Sequence, residues 1–156
     1  MQTMYESHPG SPELTLASDI TDTDTVIPLN EDVSQLPSAP NIATIYNKVN
    51  GNWETVLYES VDTANNWLET VTRGFEGTAQ SWSSGTSVAR LIAAHDLNAL
   101  KTNVNELDVV IDTVDPTSDE DSYRVGKFWL NTSDNGVFIC FDNTSGSAIW
   151  KELQTV

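Results

Sequence analysis

The 156-residue, 17.1 kDa chain sets 23 Asp+Glu against 7 Lys+Arg, a formal charge of -16 and a pI near 4.1. That balance excludes the counterion-releasing contacts that hold nucleic-acid phosphates, and any attraction to an anionic membrane surface. No run of about 18 apolar residues can span a bilayer, the opening MQTMYESHPGSPE lacks the basic and apolar regions of a secretory leader, and the single Cys140 rules out an internal disulfide.

Apolar residues make up 38 % of the chain, and five Trp, four Tyr and four Phe supply its large burial units. Thr, Ser, Asn, Asp and Gly fill most of the remainder, a mixture that suits short strands joined by many turns. The expected fold class is therefore mainly β. An acidic excess with little Lys also fits a protein working at high salt, where charge repulsion is screened within a few ångströms.

Residues 1–13 read as an extended N-terminal arm, with Pro9, Gly10 and Pro12 and no apolar period. Such an arm has no reason to fold alone and suits strapping onto a neighbouring subunit. Residues 14–93 read as a β-meander or barrel-like domain. NIATIYNKV and WETVLYESV flank Asn50-Gly51, the strongest hairpin signal in the chain, and Asn65-Asn66 turns into WLETVTR. RGFEGT carries Gly74 and Gly77 around a tight corner, and SSGTSVARLI forms a further strand.

At His95 the period changes. Leu97, Leu100, Val104, Leu107, Ile111 and Val114 are spaced 3, 4, 3, 4 and 3 apart, which is an amphipathic heptad seam. The spacing predicts a helix over 94–115, with Asp96 in its first turn and Asp115-Pro116 as its stop. Its narrow stripe, flanked by Asn98, Lys101, Asn103, Asn105 and Asp108, points to self-association. Residues 116–124 read as an acidic linker. Residues 125–156 read as a small three-stranded antiparallel sheet of GKFWLN, GVFICFD and AIWKEL, too small to stand alone, so that something must cover its apolar face.

Catalytic machinery is not visible. His8 and His95 lie apart with no metal-ligand spacing, and there is neither a nucleophile elbow nor a phosphate-binding glycine loop. No cofactor and no metal are expected. The stretches DITDTDT and DPTSDEDS lack the calcium-loop pattern and read as solvated acid. Asn131-Thr132-Ser133 and Asn143-Thr144-Ser145 match the glycosylation triplet at accessible turns. Arg73 and Arg90 flank the glycine corner and call for carboxylate partners such as Glu54, Glu69 or Glu76. Trp82, Trp129 and Trp150 read as core residues and are also the candidates for any surface aromatics, and Cys140 reads as a buried small hydrophobe.

Residues 12–107 carry LTLASDI, QLPSAPNIATI, WETVLYESV, VTRGFEGTAQSW, SGTSVARLIAAHDLNAL and NVNEL. In this order they resemble a structural module of tailed bacteriophages and related archaeal tailed viruses. GKFWLNTSDNGVFICFDNTSGSAIWKEL resembles a short element of phage fibres and tail-tip proteins, with Lys127 where an acid is common. The resemblance implies a non-enzymatic virion protein exposed on the particle exterior, a homotrimer with its helix near the axis. The arm would tether other virion proteins, and the surface would meet a host glycan or protein. It fits a tail-fibre, baseplate or fibre-linking subunit that helps attach the virus to its host. A capsid-decorating spike or head fibre, and a carbohydrate-binding receptor reader, are the alternatives. With little chain after Val156 to build a shaft or tip, a linking or capping piece is expected.

Overall fold

Strand-forming residues alternate along most of the N-terminal two-thirds, and the computed structural model, which describes residues 1–7, 11–107 and 109–153, is mainly β. The chain divides into two units, Thr3–Asn98 and Met1–Gln2 with Ala99–Val156. The boundary thus falls inside the helix, not at residue 93.

In the first unit, β1 (Leu14–Thr15), β3 (Asn41–Tyr46), β4 (Trp53–Tyr58), β7 (Thr72–Gly77) and β8 (Ser87–Ala89) form a five-stranded sheet in the order β1-β8-β3-β4-β7. β2 (Ile27–Pro28), β5 (Ser60–Asp62) and β6 (Trp67–Glu69) form a second sheet in the order β2-β6-β5. This is more than a meander: WETVLYESV changes sheet at Glu59, and WLETVTR changes sheet at Thr70, which takes φ +51. Because side chains alternate across a strand, β3 sends Ala43 and Ile45 into the core beside Val56 and Tyr58 of β4, while Ile27 and Leu68 of the second sheet join the same cluster. The five-stranded sheet lines up Leu14, Val88, Ile45 and Glu54 in one cross-strand row. The apolar row ends on a carboxylate, which has to find its partners at the sheet's edge strand.

The β3–β4 hairpin forms, but its loop runs from Asn47 to Asn52 and only Gly51, at φ +76, occupies the left-handed region. Side-chain caps from Asn47 and Asn50 to nearby amides hold this longer loop, in place of a two-residue turn at Asn50-Gly51. The strand expected from SSGTSVARLI shortens to Ser87–Ala89 and leaves Leu91 and Ile92 exposed.

The second unit contains four strands where three were expected. β10 (Phe128–Asn131), β11 (Val137–Asp142) and β12 (Ile149–Glu152) are antiparallel, and β9 (Val110–Asp112) adds to them in parallel beside β10. One face of this sheet is dry. Tyr123, Trp129 and Trp150 meet edge-to-face there, at ring separations of 5.6–5.9 Å, above the buried Cys140. The stretch expected as an acidic linker lies on this unit instead: Ser118 accepts from the Ala148 amide at 3.0 Å and Asp121 from the Gly146 amide at 2.6 Å. Its acids cap turns. Among the described residues, no helix is long and apolar enough to cross a membrane.

Candidate functional site

The glycine corner is built around one carboxylate. Glu54 faces the core of the first unit, where an unpaired charge would cost several kcal/mol. Arg73 closes on it with Nε to Oε1 at 2.9 Å and Nη2 to Oε2 at 2.8 Å, and the Gly74 amide and Trp82 indole donate at 2.8 Å each. Burial pushes the Glu54 carboxyl up, but the Arg73, Trp82 and Gly74 donors outweigh it and hold the pKa below the usual range. Both corner glycines need their freedom: Gly74 takes φ +60 and Gly77 φ +81, where an added Cβ would stand 3.1 Å from the Trp53 ring. They lie within β7 and not at a turn between strands.

Arg90 is the second buried guanidinium, and Asp96 is its partner, in place of the Glu residues that flank the corner. Two bonds of 2.9 Å join them. The remaining Arg90 donors reach the Asn41 side chain and the carbonyls of Tyr5, Glu6 and Leu91. Residues 3–6 of the expected arm therefore lie on their own unit, because a buried guanidinium needs acceptors for all its N–H groups. His95 belongs to the same lock. Its Nε2 sits 2.9 Å from the Thr3 carbonyl, and its ring meets Tyr5 at a tilt and Phe75 edge-on, at centroid distances of 5.3 and 5.0 Å. His8 lies outside the described residues.

The helix α1 runs over Ala94–Leu107 and stops eight residues before the expected end. Its last carbonyls are claimed from a distance: Lys127 Nζ donates to Asn105 and Glu106, and Arg124 Nε to Glu106 at 3.0 Å. Nothing basic in its own last turn does this. Ile111 then lies on strand β9 and Val114 beyond it, so neither can belong to a helical seam. The Leu107 side chain lies outside the described residues. The surviving stripe is Leu97, Leu100 and Val104, exposed at 61, 47 and 47 %.

The three candidate surface tryptophans point inward. Trp82 and Trp129 are buried and Trp150 is half-buried, each with its indole N–H bonded: to Glu54, to the Val114 carbonyl and to the Glu120 carbonyl. A sugar-stacking platform cannot use them. Trp53, which sequence reasoning did not single out, is half-exposed and lines a cleft of about 360 Å³ with Tyr46, Glu76, Leu91 and Ile92. The indole at the strand start, followed by exposed Leu91 and Ile92, was the available signal. Asn131 is buried and bonded to Asp115 and Ser133, so its triplet is not accessible; Asn143 is exposed. Cys140 is fully buried, and burial raises its thiol pKa. Among the described residues, no three His, Cys, Asp or Glu converge on a metal-sized site. No protein-family model matches the chain, and no curated protein matches it.

Proposed function

We propose that this chain is a non-enzymatic structural subunit of a tailed-virus particle, a tail-fibre, baseplate or fibre-linking piece that self-assembles as a trimer through α1 and helps attach the particle to its host. The observation that carries the reading is the stripe of Leu97, Leu100 and Val104, which keeps the seam spacing and stays exposed along a helix with polar flanks. Each such side chain fully buried by a neighbour contributes about 1.5–3 kcal/mol. A 14-residue helix is marginal by itself in water, so a partner helix stabilises it where solvent does not. The groups best suited to chemistry are committed elsewhere: Glu54, Arg73, Arg90, Asp96 and His95 are all tied into the structural bonds described above.

The test is the mass of the whole chain by light scattering, for the wild type and for Leu100→Asp and Val104→Asp. A trimer that the substitutions dissociate, with circular dichroism unchanged, supports the reading. A monomeric wild type, or an assembly indifferent to both substitutions, sinks it. Identification of the chain by mass spectrometry in purified tails or purified heads tests its place in the particle.

A further inference from the structure

The sheet of the second unit has two apolar faces, and among the described residues one holds the buried Trp129 and Cys140 while the other leaves its apolar residues half-buried or exposed. Residues paired across strands share a face. Trp129, Cys140 and Trp150 take the dry side with Tyr123. The opposite side carries Leu130 between Ile111 and Val137, and Ile139 between Phe128 and Lys151. Ile111 is 68 % exposed and Phe141 61 %, and Lys151 lies over the Phe141 ring with Nζ 4.6 Å from its centroid; past the bulge of β11, Asp142 pairs with Ile149 and brings a carboxylate to the end of this face. No carboxylate interrupts the Ile111–Leu130–Val137 and Phe128–Ile139–Lys151 rows, although the chain carries 23 Asp+Glu.

We infer that this open sheet face is a contact between copies of the chain, a second interface beside the helix stripe. The inference rests on the assembly reading and deepens it.

Three observations favour a second copy as the occupant. The first is the shortage of core. Among the described residues of this unit of roughly 60 residues, the buried apolar side chains are Ala99, Trp129, Cys140 and Ala148. Units of that size are marginal without a disulfide, a metal or an oligomer. A single cysteine cannot form an internal disulfide, and the described residues bring no metal-ligating cluster together. Oligomerisation is the remaining device.

The second is area. Leu97, Leu100 and Val104 together offer on the order of 250 Å², against the roughly 800 Å² per partner of a standard interface. An assembly built on α1 therefore needs another apolar contact. Four strands about 4.8 Å apart and about four residues long give this sheet face a footprint near 19 by 13 Å, which is the same order as the helix contribution before side-chain relief is counted.

The third is charge. Two chains at -16 repel wherever their acidic surfaces meet. A partner drawn by charge would be basic and would dock on carboxylates, which these rows lack. Like copies meet at low electrostatic cost on rows without them, with Asp142 at the end of the sheet where salt screens it.

The experiment is sedimentation velocity on the full chain, in low and in molar salt, for the wild type, Ile111→Asp, Phe141→Asp, their alanine counterparts and Leu100→Asp. Near-ultraviolet circular dichroism of the Trp129–Trp150 pair on the opposite face reports whether each variant is folded. The aspartates are expected to raise the dissociation constant of the folded chain at least about tenfold, with the alanines intermediate. If Leu100→Asp dissociates the assembly while both sheet aspartates and both alanines leave it intact, the inference fails and the helix reading stands. If the sheet variants dissociate it and Leu100→Asp does not, the inference stands and the helix seam fails. A wild type that remains monomeric in both salts overturns the inference.

Discussion

Glu54 and Arg73 meet across β4 and β7 as a two-bond ion pair whose side chains are 0 and 6 % exposed. Each exists at that depth only because the other does. Glu54→Gln keeps the shape and removes the charge, leaving a buried guanidinium without a counter-ion, and Arg73→Met does the converse. Removing one partner of such a pair costs about 3–5 kcal/mol. Urea unfolding of either variant should show a loss of that size in the first unit. A loss below about 1 kcal/mol would mean that water reaches the pair.

The same pair sets the response to acid. Glu54 has a folded pKa below its unfolded value, since the Arg73, Trp82 and Gly74 donors outweigh its burial, and Asp96 is likewise held low by Arg90 and the Ala93 amide against its burial. A depressed carboxyl contributes stability that is full above its unfolded value of about 4.3 for Glu, or 3.9 for Asp, and is lost as pH falls through the folded one. Acid also relieves the repulsion of the -16 chain, which works the other way. Comparing wild type with Glu54→Gln cancels that shared effect. The stability gap between them should be constant from neutral pH to about 5 and should narrow below about 4. A gap that widens in acid would reverse the assignment.

Gly74 and Gly51 separate two costs of a side chain at positive φ. Gly51, at φ +76, has nothing within 4 Å of an added Cβ, so Gly51→Ala meets only the backbone penalty of about 1 kcal/mol. At Gly74, φ +60, the Cβ would stand 3.0 Å from the Ala79 backbone nitrogen. Gly74→Ala should therefore cost more, about 2–3 kcal/mol, and it also displaces an amide that Glu54 uses. Thermal unfolding of the two variants ranks them. Equal losses would show that the loop to Ala79 yields.

The structure and the sequence agree where the governing forces are local. Alternation placed the strands, Asn65-Asn66 marked the turn before β6, where Asn66 takes φ +60, and the glycine corner pointed to Arg73 with Glu54 among three possible partners. The helix end was governed by residues some twenty positions away. Lys127 and Arg124 follow no spacing rule, and Ile111 of β9 and Val114 beyond it happened to continue the 3-4 rhythm. The competing local signal was the β-branched run Val109, Val110, Ile111, Thr113 and Val114, which favours a strand. The burial of Asn131 was not legible for a related reason, since burial on one face of a small sheet depends on which loop covers it.

Lys127 offers a direct check of that long-range stop. Its ammonium supplies donors to the Asn105 and Glu106 carbonyls while 94 % of the residue is out of water's reach. Lys127→Met preserves the stem and removes the donors, which costs about 1–3 kcal/mol where a buried acceptor loses its partner. Amide exchange in the last turn of α1 should accelerate while β10 and β11 stay protected. Unchanged exchange would show that Arg124 holds the helix end by itself.

Salt should stabilise this protein, and the sign follows from how its charges are distributed. Exposed pairs such as Lys48–Glu13 contribute little and weaken when screened. The buried Arg73–Glu54 and Arg90–Asp96 pairs are screened much less. Against those small losses stand 23 acids on one chain, whose repulsion falls as the screening length shrinks from about 10 Å at 0.1 M to about 3 Å at 1 M. Relief of that repulsion outweighs the loss of a few surface pairs. The midpoint of thermal unfolding should rise by about 5 °C or more between low and molar sodium chloride, and potassium chloride should do the same because the effect is one of ionic strength. A flat or falling profile would mean that repulsion among the acids contributes little to the balance between folded and unfolded chain, and the high-salt reading of the composition would be lost.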